Sequence, residues 1–222
     1  MCGRFTLTVD TAQLQQAFAW MNISTEINPR YNVAPSQPVA VVPNNGENRL
    51  DFFNWGLIPS WANDPEIGNR MINARAETLA EKPSFRTPFR RRRCLILADG
   101  FYEWKVEEGR AGKTPMYIRM KSGQPFAFAG LWDLWQPADG SQIYSCTIIT
   151  TKPNALLERI HNRMPVILSP ETYAQWLQTG DQRPESLMPL LVPYPASEME
   201  AFPVSRLVNS PQVDQAECIL PA

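Results

Sequence analysis

Residues 94–105 read CLILADGFYEWK. CLILA is an apolar run of strand length, and Asp99-Gly100 is a pair favoured in tight hairpin turns. FYEWK then resumes with residues that fit a strand. The stretch is therefore predicted as strand, hairpin turn, strand. Within the second strand Glu103 shares a face with Phe101 and Lys105, while Tyr102 and Trp104 point the other way. Two readings of Glu103 stay open on these residues alone. It is either a solvent-facing acid on the polar side of a strand, or a carboxyl held among aromatics with its pKa raised by desolvation.

Working outward, runs of the same kind recur as VAVV at 39–42, LDFFNW at 50–55, MYIRM at 116–120, FAFAGLW at 126–132, IYSCTIIT at 143–150, PVIL at 165–168 and ECIL at 217–220. Helical patterning is scarcer. Asp10 can cap a helix burying Leu14, Ala17 and Phe18; Thr151 can cap KPNALLERI with Leu156, Leu157 and Ile160 inward; Ser169 can cap PETYAQWLQ, stopping at Gly180. The 21 prolines and 11 glycines call for short elements and frequent turns. No βαβ alternation, internal repeat or Gly/Ser linker is present. The expected fold is α+β: a mixed, mostly antiparallel, barrel-like sheet with a few flanking helices, in one domain over residues 1–222.

The composition excludes several classes. A net charge of −1 gives no bulk field toward nucleic acid or membrane. The charge is uneven, however. Residues 70–93 carry eight Arg/Lys against two Glu, and residues 171–222 carry seven acids against two Arg. This asymmetry predicts a basic surface, with the run Arg90–Arg93 as a solvated patch that reads no bases. The four cysteines are widely spaced, which argues against a zinc site and a disulfide framework. Cys94, Cys146 and Cys218 lie in apolar runs and read as buried, inert thiols. With no basic-then-apolar leader and no long apolar run, the expectation is a cytoplasmic, monomeric protein, nucleoid-associated when on DNA, without metal or cofactor.

Cys2 stands apart, in the opening MCGRF. If Met1 is removed, Cys2 offers an α-amine and a thiol on adjacent carbons. His161, in RIHNRMP, is the single histidine of the chain, which rules out a multi-His metal site. It sits at a helix-to-strand junction, either as a surface residue favoured by the helix dipole or as a proton carrier titrating near neutrality. Asn73 and Arg75, in MINARAET, share a face if extended; an Asn can hold a hydroxyl or carbonyl, and an Arg can clamp a phosphate. RYNVAPSQP and NWGLIPSW place Pro35 and Trp61 in Gly/Pro-punctuated loops, where an aromatic packs in the core or stacks on an unpaired base.

MCGRF, RYNVAP, NWGLIPSW, INARAET, LADGFYEW and IHNRMPVIL, in that order, resemble the SOS-response-associated peptidase (SRAP) family of abasic-site processing proteins. The matching blocks reach to about residue 170, and PVS at 203–205 followed by Asn209 fits the family's C-terminal end. The resemblance implies a sensor of abasic sites in single-stranded DNA that becomes covalently attached to them. It implies Cys2 as nucleophile, Asn73 positioning the sugar, and Glu103 and His161 managing protons. Arg4, Arg75 and Arg163 would hold phosphates, with Asn32, Pro35, Trp61 and Thr150 nearby. It also implies peptidase activity, at least in removing residues ahead of the cysteine.

The chemistry of an N-terminal cysteine fits that expectation independently. An abasic deoxyribose opens to an aldehyde, and an α-amine of pKa about 7.7–8.0 is partly neutral at pH 7 and forms a Schiff base. The thiol one carbon away then closes a thiazolidine ring, an intramolecular step favoured by high effective molarity. An imine left open is also the intermediate of lyase-type strand cleavage. Two alternatives use the same terminus differently. In an N-terminal-nucleophile glutamine amidohydrolase the thiol attacks an amide, although no glutamine-binding or oxyanion motif can be located here. A non-catalytic single-stranded nucleic-acid-binding module would carry Cys2 without using it.

Overall fold

A computed structural model of the chain describes residues 2–107, 109, 112–137 and 139–222. The strands in chain order are β1 (Phe5–Leu7), β2 (Arg30–Val33), β3 (Pro38–Pro43), β4 (Asp51–Trp55), β5 (Asn73–Arg75), β6 (Arg93–Ala98) and β7 (Gly100–Val106). After them come β8 (Lys113–Met120), β9 (Phe126–Trp135), β10 (Ile143–Thr151), β11 (Met164–Pro165), β12 (Ile167–Leu168) and β13 (Met199–Pro203). The α-helices are α1 (Thr11–Ala17), α2 (Pro83–Arg91), α3 (Tyr173–Trp176) and α4 (Pro184–Leu187).

These strands form two sheets. One is antiparallel throughout, in the order β13-β8-β7-β1-β2. In the other, β10, β4, β3, β6 and β9 pair in turn, and β9 pairs again with β10, closing a barrel. β10 makes its pairs with β4 and β5 in parallel; its pairs with β9 and β11 are antiparallel. The α+β, mixed and barrel-like architecture is as expected, in two sheets rather than one.

The stretch 94–105 holds both the success and the main correction. CLILA and FYEWK are strands, but they do not pair with each other. β6 lies between β3 and β9 in the barrel, and β7 lies between β1 and β8 in the other sheet. Asp99 is thus a crossing point between sheets rather than a hairpin turn. The unbroken apolar run of β6 follows from burial on both faces. Leu95 and Leu97 pack with Leu14, Phe85, Phe89 and Trp176, whereas Cys94, Ile96 and Ala98 join Phe5 and Phe101 of the other sheet. Phe5 and Phe101 meet Phe128 of the barrel edge-on, at 5.8 and 6.0 Å between ring centroids.

The helix signals hold in part. Asp10 caps α1 through a capping box with Gln13, burying Leu14 and the following Phe18, while Ala17 faces solvent. Thr151 caps nothing, because it remains in the ladder opposite Met164. Asn154 takes that role, accepting from Leu156 and Leu157 N–H, and the chain then makes a single 3-10 turn, Leu157–Arg159. After Ser169 a 3-10 turn leads into the short α3. ECIL is a 3-10 turn and not a strand. Just before it, the Asp214 carboxylate accepts the N–H groups of Tyr31 and Asn32, occupying the edge of β2 that a further strand would need.

The basic run is corrected in part. Arg90 and Arg91 both pair with Asp181, and Arg92 pairs with Asp133. Arg93 is fully buried, its guanidinium donating to the carbonyls of Phe89, Arg90, Trp176 and Gln178. Those carbonyls belong to the C-terminal ends of α2 and α3, which lack intrahelical partners. Burial lowers the Arg93 pKa to about 10, so it remains a cation at neutral pH. Arg90 and Arg91 thus stay on the surface, as the patch reading expects, whereas Arg92 is partly buried and Arg93 is an internal joint.

Gly100 is fixed by its surroundings, since a Cβ there would overlap the Tyr117 ring of β8. Gly100→Ala should destabilise the protein by about 1–3 kcal/mol through overpacking. A wild-type urea midpoint in that variant would show that the Tyr117 ring yields without cost.

Candidate active site

Cys2, Gly3 and Arg4 run into β1, which lies antiparallel to β7 in the register Phe5↔Phe101 and Thr6↔Gly100. The Tyr102 N–H donates to the Arg4 carbonyl at 3.0 Å, extending the alignment toward Glu103. Asn73 approaches from the barrel. β5 is held on β10 through the pairs Ile148↔Asn73 and Thr150↔Arg75, and the Asn73 Nδ2 donates to the Cys2 carbonyl at 2.8 Å. Cys2 is therefore gripped by both sheets, and it is fully buried in the core they share. Met1, whose removal the N-terminal chemistry requires, lies outside the described residues.

Glu103 is only 2% exposed, which settles its two readings in favour of the enclosed carboxyl. Burial pushes its pKa up to about 7, against the opposing pull of the amino-terminal charge and of Lys113. Near neutrality it is thus divided between acid and base forms, as a group that both takes and gives protons needs to be. The same burial, reinforced by the Glu103 charge, drives the Cys2 thiol well above its ordinary range and keeps it protonated.

His161 moves the opposite way. Partial burial lowers its pKa, and the positive charges of the amino terminus and Lys113 add to the shift. Its Nδ1 faces the backbone of Arg163, with the N–H at 3.1 Å and the carbonyl at 3.3 Å. Glu103, His161 and Cys2 all respond to the amino-terminal charge, and Lys113 acts on the first two.

The expected DNA-contact residues divide by accessibility. Arg75 is exposed at the end of β5. Arg163 is 15% exposed, donates to both carboxylate oxygens of Glu77 at 2.7 and 2.9 Å, and reaches the Thr150 carbonyl at 2.6 Å. Trp61 is 57% exposed beside a cavity of about 540 Å³ lined by Asn63, Asp64, Glu66, Asn69 and Arg70. Pro35 is half-buried in the adjoining loop, which is tied to this wall by the Ser36 hydroxyl donating to the Asn69 Oδ1.

Three others lie beneath the surface. Thr150 and Asn32 are fully buried and Arg4 nearly so. Arg4 donates to Asn32 Oδ1 and to the Val208 carbonyl, and the Asn32 amide donates to the carbonyls of Ser210 and Val213. These two residues bind the C-terminal segment against β1 and β2.

Sequence reading missed Glu77 and Lys113. Glu77 had a visible cue, being an acid two residues beyond Arg75 in a basic stretch. Lys113 had none, because its place depends on the β7–β8 register, where it faces Val106.

A sequence profile of the SOS response associated peptidase (SRAP) family matches residues 1–211. The chain belongs to the SRAP family. It is 52% identical over 225 residues to the abasic site processing protein YoqW of Bacillus subtilis (strain 168), covering 99% of both chains. It is 31% identical over 271 residues to the abasic site processing protein HMCES of Rattus norvegicus, covering all of this chain and 76% of that relative. Among solved structures, the X-ray structure of a protein from Bacteroides thetaiotaomicron superposes with a TM-score of 0.88. It is 28% identical, and each chain is covered completely. Among the described residues no helix is long and apolar enough to cross a membrane.

The raised pKa of Glu103 has a sign in stability. The folded state holds this proton more tightly than the unfolded chain, where a glutamic acid titrates near about 4.3. The stabilisation is therefore complete below about 4.3 and is lost as pH rises through about 7. Glu103→Gln should gain stability relative to wild type between those limits; parallel denaturation curves at pH 4.5 and pH 8 would reveal an unchanged difference if the carboxyl were not desolvated.

Proposed function

We propose that this protein processes abasic sites in single-stranded DNA by forming a covalent bond through Cys2 after Met1 is removed. The observation that carries the reading is the convergence on one residue. Asn73 holds the Cys2 carbonyl from one sheet, and Glu103, on the other, sets its charge upon the Cys2 thiol. The naming of its SRAP relatives as abasic site processing proteins supports the substrate. The family's peptidase activity corresponds here to hydrolysis of the Met1–Cys2 bond, which consumes one water.

The closed sugar opens when a proton leaves its C1′ hydroxyl and one reaches the ring oxygen. Glu103 near pKa 7 and the neutral His161 ring are suited to share that exchange. The Cys2 amine adds to the aldehyde and expels water, giving an imine. The thiol then adds across the C=N bond, with its proton passing to nitrogen, and a thiazolidine forms without further loss. Burial keeps the thiol protonated, so closure takes place by this neutral addition with a neighbouring base. Asn73, released from the Cys2 carbonyl or retaining it, is placed to hold the sugar. Diverted toward β-elimination, the open imine would cleave the strand.

Intact-mass analysis, before and after incubation with a single-stranded abasic oligonucleotide, tests this reading. Active protein should lack Met1, and the adduct should weigh the sum of protein and DNA less one water. Cys2→Ala should give only a borohydride-trappable, heat-labile imine. Glu103→Gln and His161→Ala should slow single-turnover adduct formation by about 10²–10⁴-fold while still binding undamaged DNA. Retention of Met1 in fully active protein, or a heat-stable adduct from Cys2→Ala, would falsify the thiazolidine route.

Arg75 is the accessible cation of the NAR strand, and we propose it as a phosphate contact. Arg75→Ala should weaken binding to undamaged single strands and reduce the log–log salt slope by about 0.7. Unchanged affinity would return Arg75 to a purely structural role.

A further inference from the structure

Arg163 is a nearly enclosed guanidinium whose open side is covered by an acid. Its NH1 and NH2 each meet one oxygen of Glu77, at 2.7 and 2.9 Å, and the Glu77 side chain is 54% exposed. Two parallel N–H···O bonds are also the geometry in which Arg takes two oxygens of a phosphate. The fork does not depend on Glu77 for its aim. NH2 also donates to the Thr150 carbonyl at 2.6 Å, from a fully buried residue of β10. Arg163 would therefore stay oriented if Glu77 left.

Glu77 pairs with Arg163, which the family resemblance assigns to a phosphate, and it also feels the charge of Arg75. It follows Arg75 by two residues, and the hydrogen bonding from Arg163, helped by the charges of Arg163 and Arg75, holds its carboxyl below the ordinary range. It is ionised throughout the neutral range. The backbone of the same Arg163 gives its N–H to His161 Nδ1.

We propose that Glu77 is a built-in stand-in for a DNA phosphate, a specificity-determining carboxylate that a backbone phosphate must displace from Arg163. This inference rests on the single-strand-binding site proposed above. A protein that retains its target by a covalent bond gains little from tight reversible binding, and a competing carboxylate hastens its release from intact strands. Discrimination is then left to the aldehyde chemistry, which intact strands cannot offer.

The test compares wild type, Glu77→Gln, Glu77→Ala, Arg163→Ala and the Glu77→Gln/Arg163→Ala pair. Each is titrated with an undamaged single-stranded oligonucleotide over a range of salt, and each is also assayed for adduct formation with its abasic counterpart. Both Glu77 variants should bind undamaged DNA about two- to five-fold more tightly at low salt, with a slope steeper by up to about 0.7. The gain should vanish in the double variant, which should bind like Arg163→Ala. Glu77→Ala guards against a new amide bonding Arg163. If wild type forms the adduct but both Glu77 variants bind undamaged DNA as wild type does, or more weakly, Glu77 is a brace and the inference is overturned alone. If wild type neither binds nor forms an adduct, the proposed function fails and this inference fails with it.

Discussion

Asp99 fastens the amino-terminal strand to the rest of the molecule. Its carboxylate accepts the hydroxyls of Thr6 and Thr8 and the N–H groups of Thr8 and Val9. Thr6 in turn meets the Tyr117 hydroxyl at 2.9 Å, over the place where Gly100 leaves no side chain. Four hydrogen bonds on one carboxyl group make a strong polar joint, and here they converge where the chain passes from barrel to second sheet. β1 has only three residues and a two-pair register with β7. A ladder that short would fray without a clamp, and with it the position of Cys2 against Glu103.

Around that fixed terminus, burial does most of the chemical tuning. The enclosed carboxyl of Glu103 rises toward neutrality, and the half-buried imidazole of His161 falls below its usual range. The two shifts run in opposite directions, so the carboxyl keeps its proton more readily and the imidazole gives its proton up more readily than either would in water. Desolvating a carboxyl is unfavourable to folding, and aromatic packing such as that of Phe5 and Phe101 on Phe128 in the shared core offsets that cost.

Much of this was legible in the sequence, and the failures share a cause. Strands such as β3, β9 and β10 showed themselves through apolar length and β-branched or aromatic content, and Asp10 announced its helix through local capping chemistry. Asp99-Gly100 misled because hairpin propensity is local, whereas the choice of sheet depends on Tyr117 and Thr6, far away in sequence. Arg93 read as surface along with its neighbours because charge usually is; only the meeting of two helix ends made that one buried cation stable. Cys2, Asn73, Glu103 and His161 could be nominated from residue chemistry and family resemblance. That Asn73 reaches Cys2 across two sheets could not, since the parallel pairing of β5 with β10 has no signature in three residues.

The attachment of Arg4 to the Val208 carbonyl has a consequence for the order in which the molecule is made. All four proposed catalytic side chains are translated by residue 161, but the carbonyl that anchors Arg4 is added almost fifty residues later. During synthesis the reactive terminus is therefore produced long before it is set in place. A nascent chain carries a complete complement of reactive groups in an unassembled state, and the arrival of its C-terminal segment marks its passage from a reactive polypeptide to an ordered site.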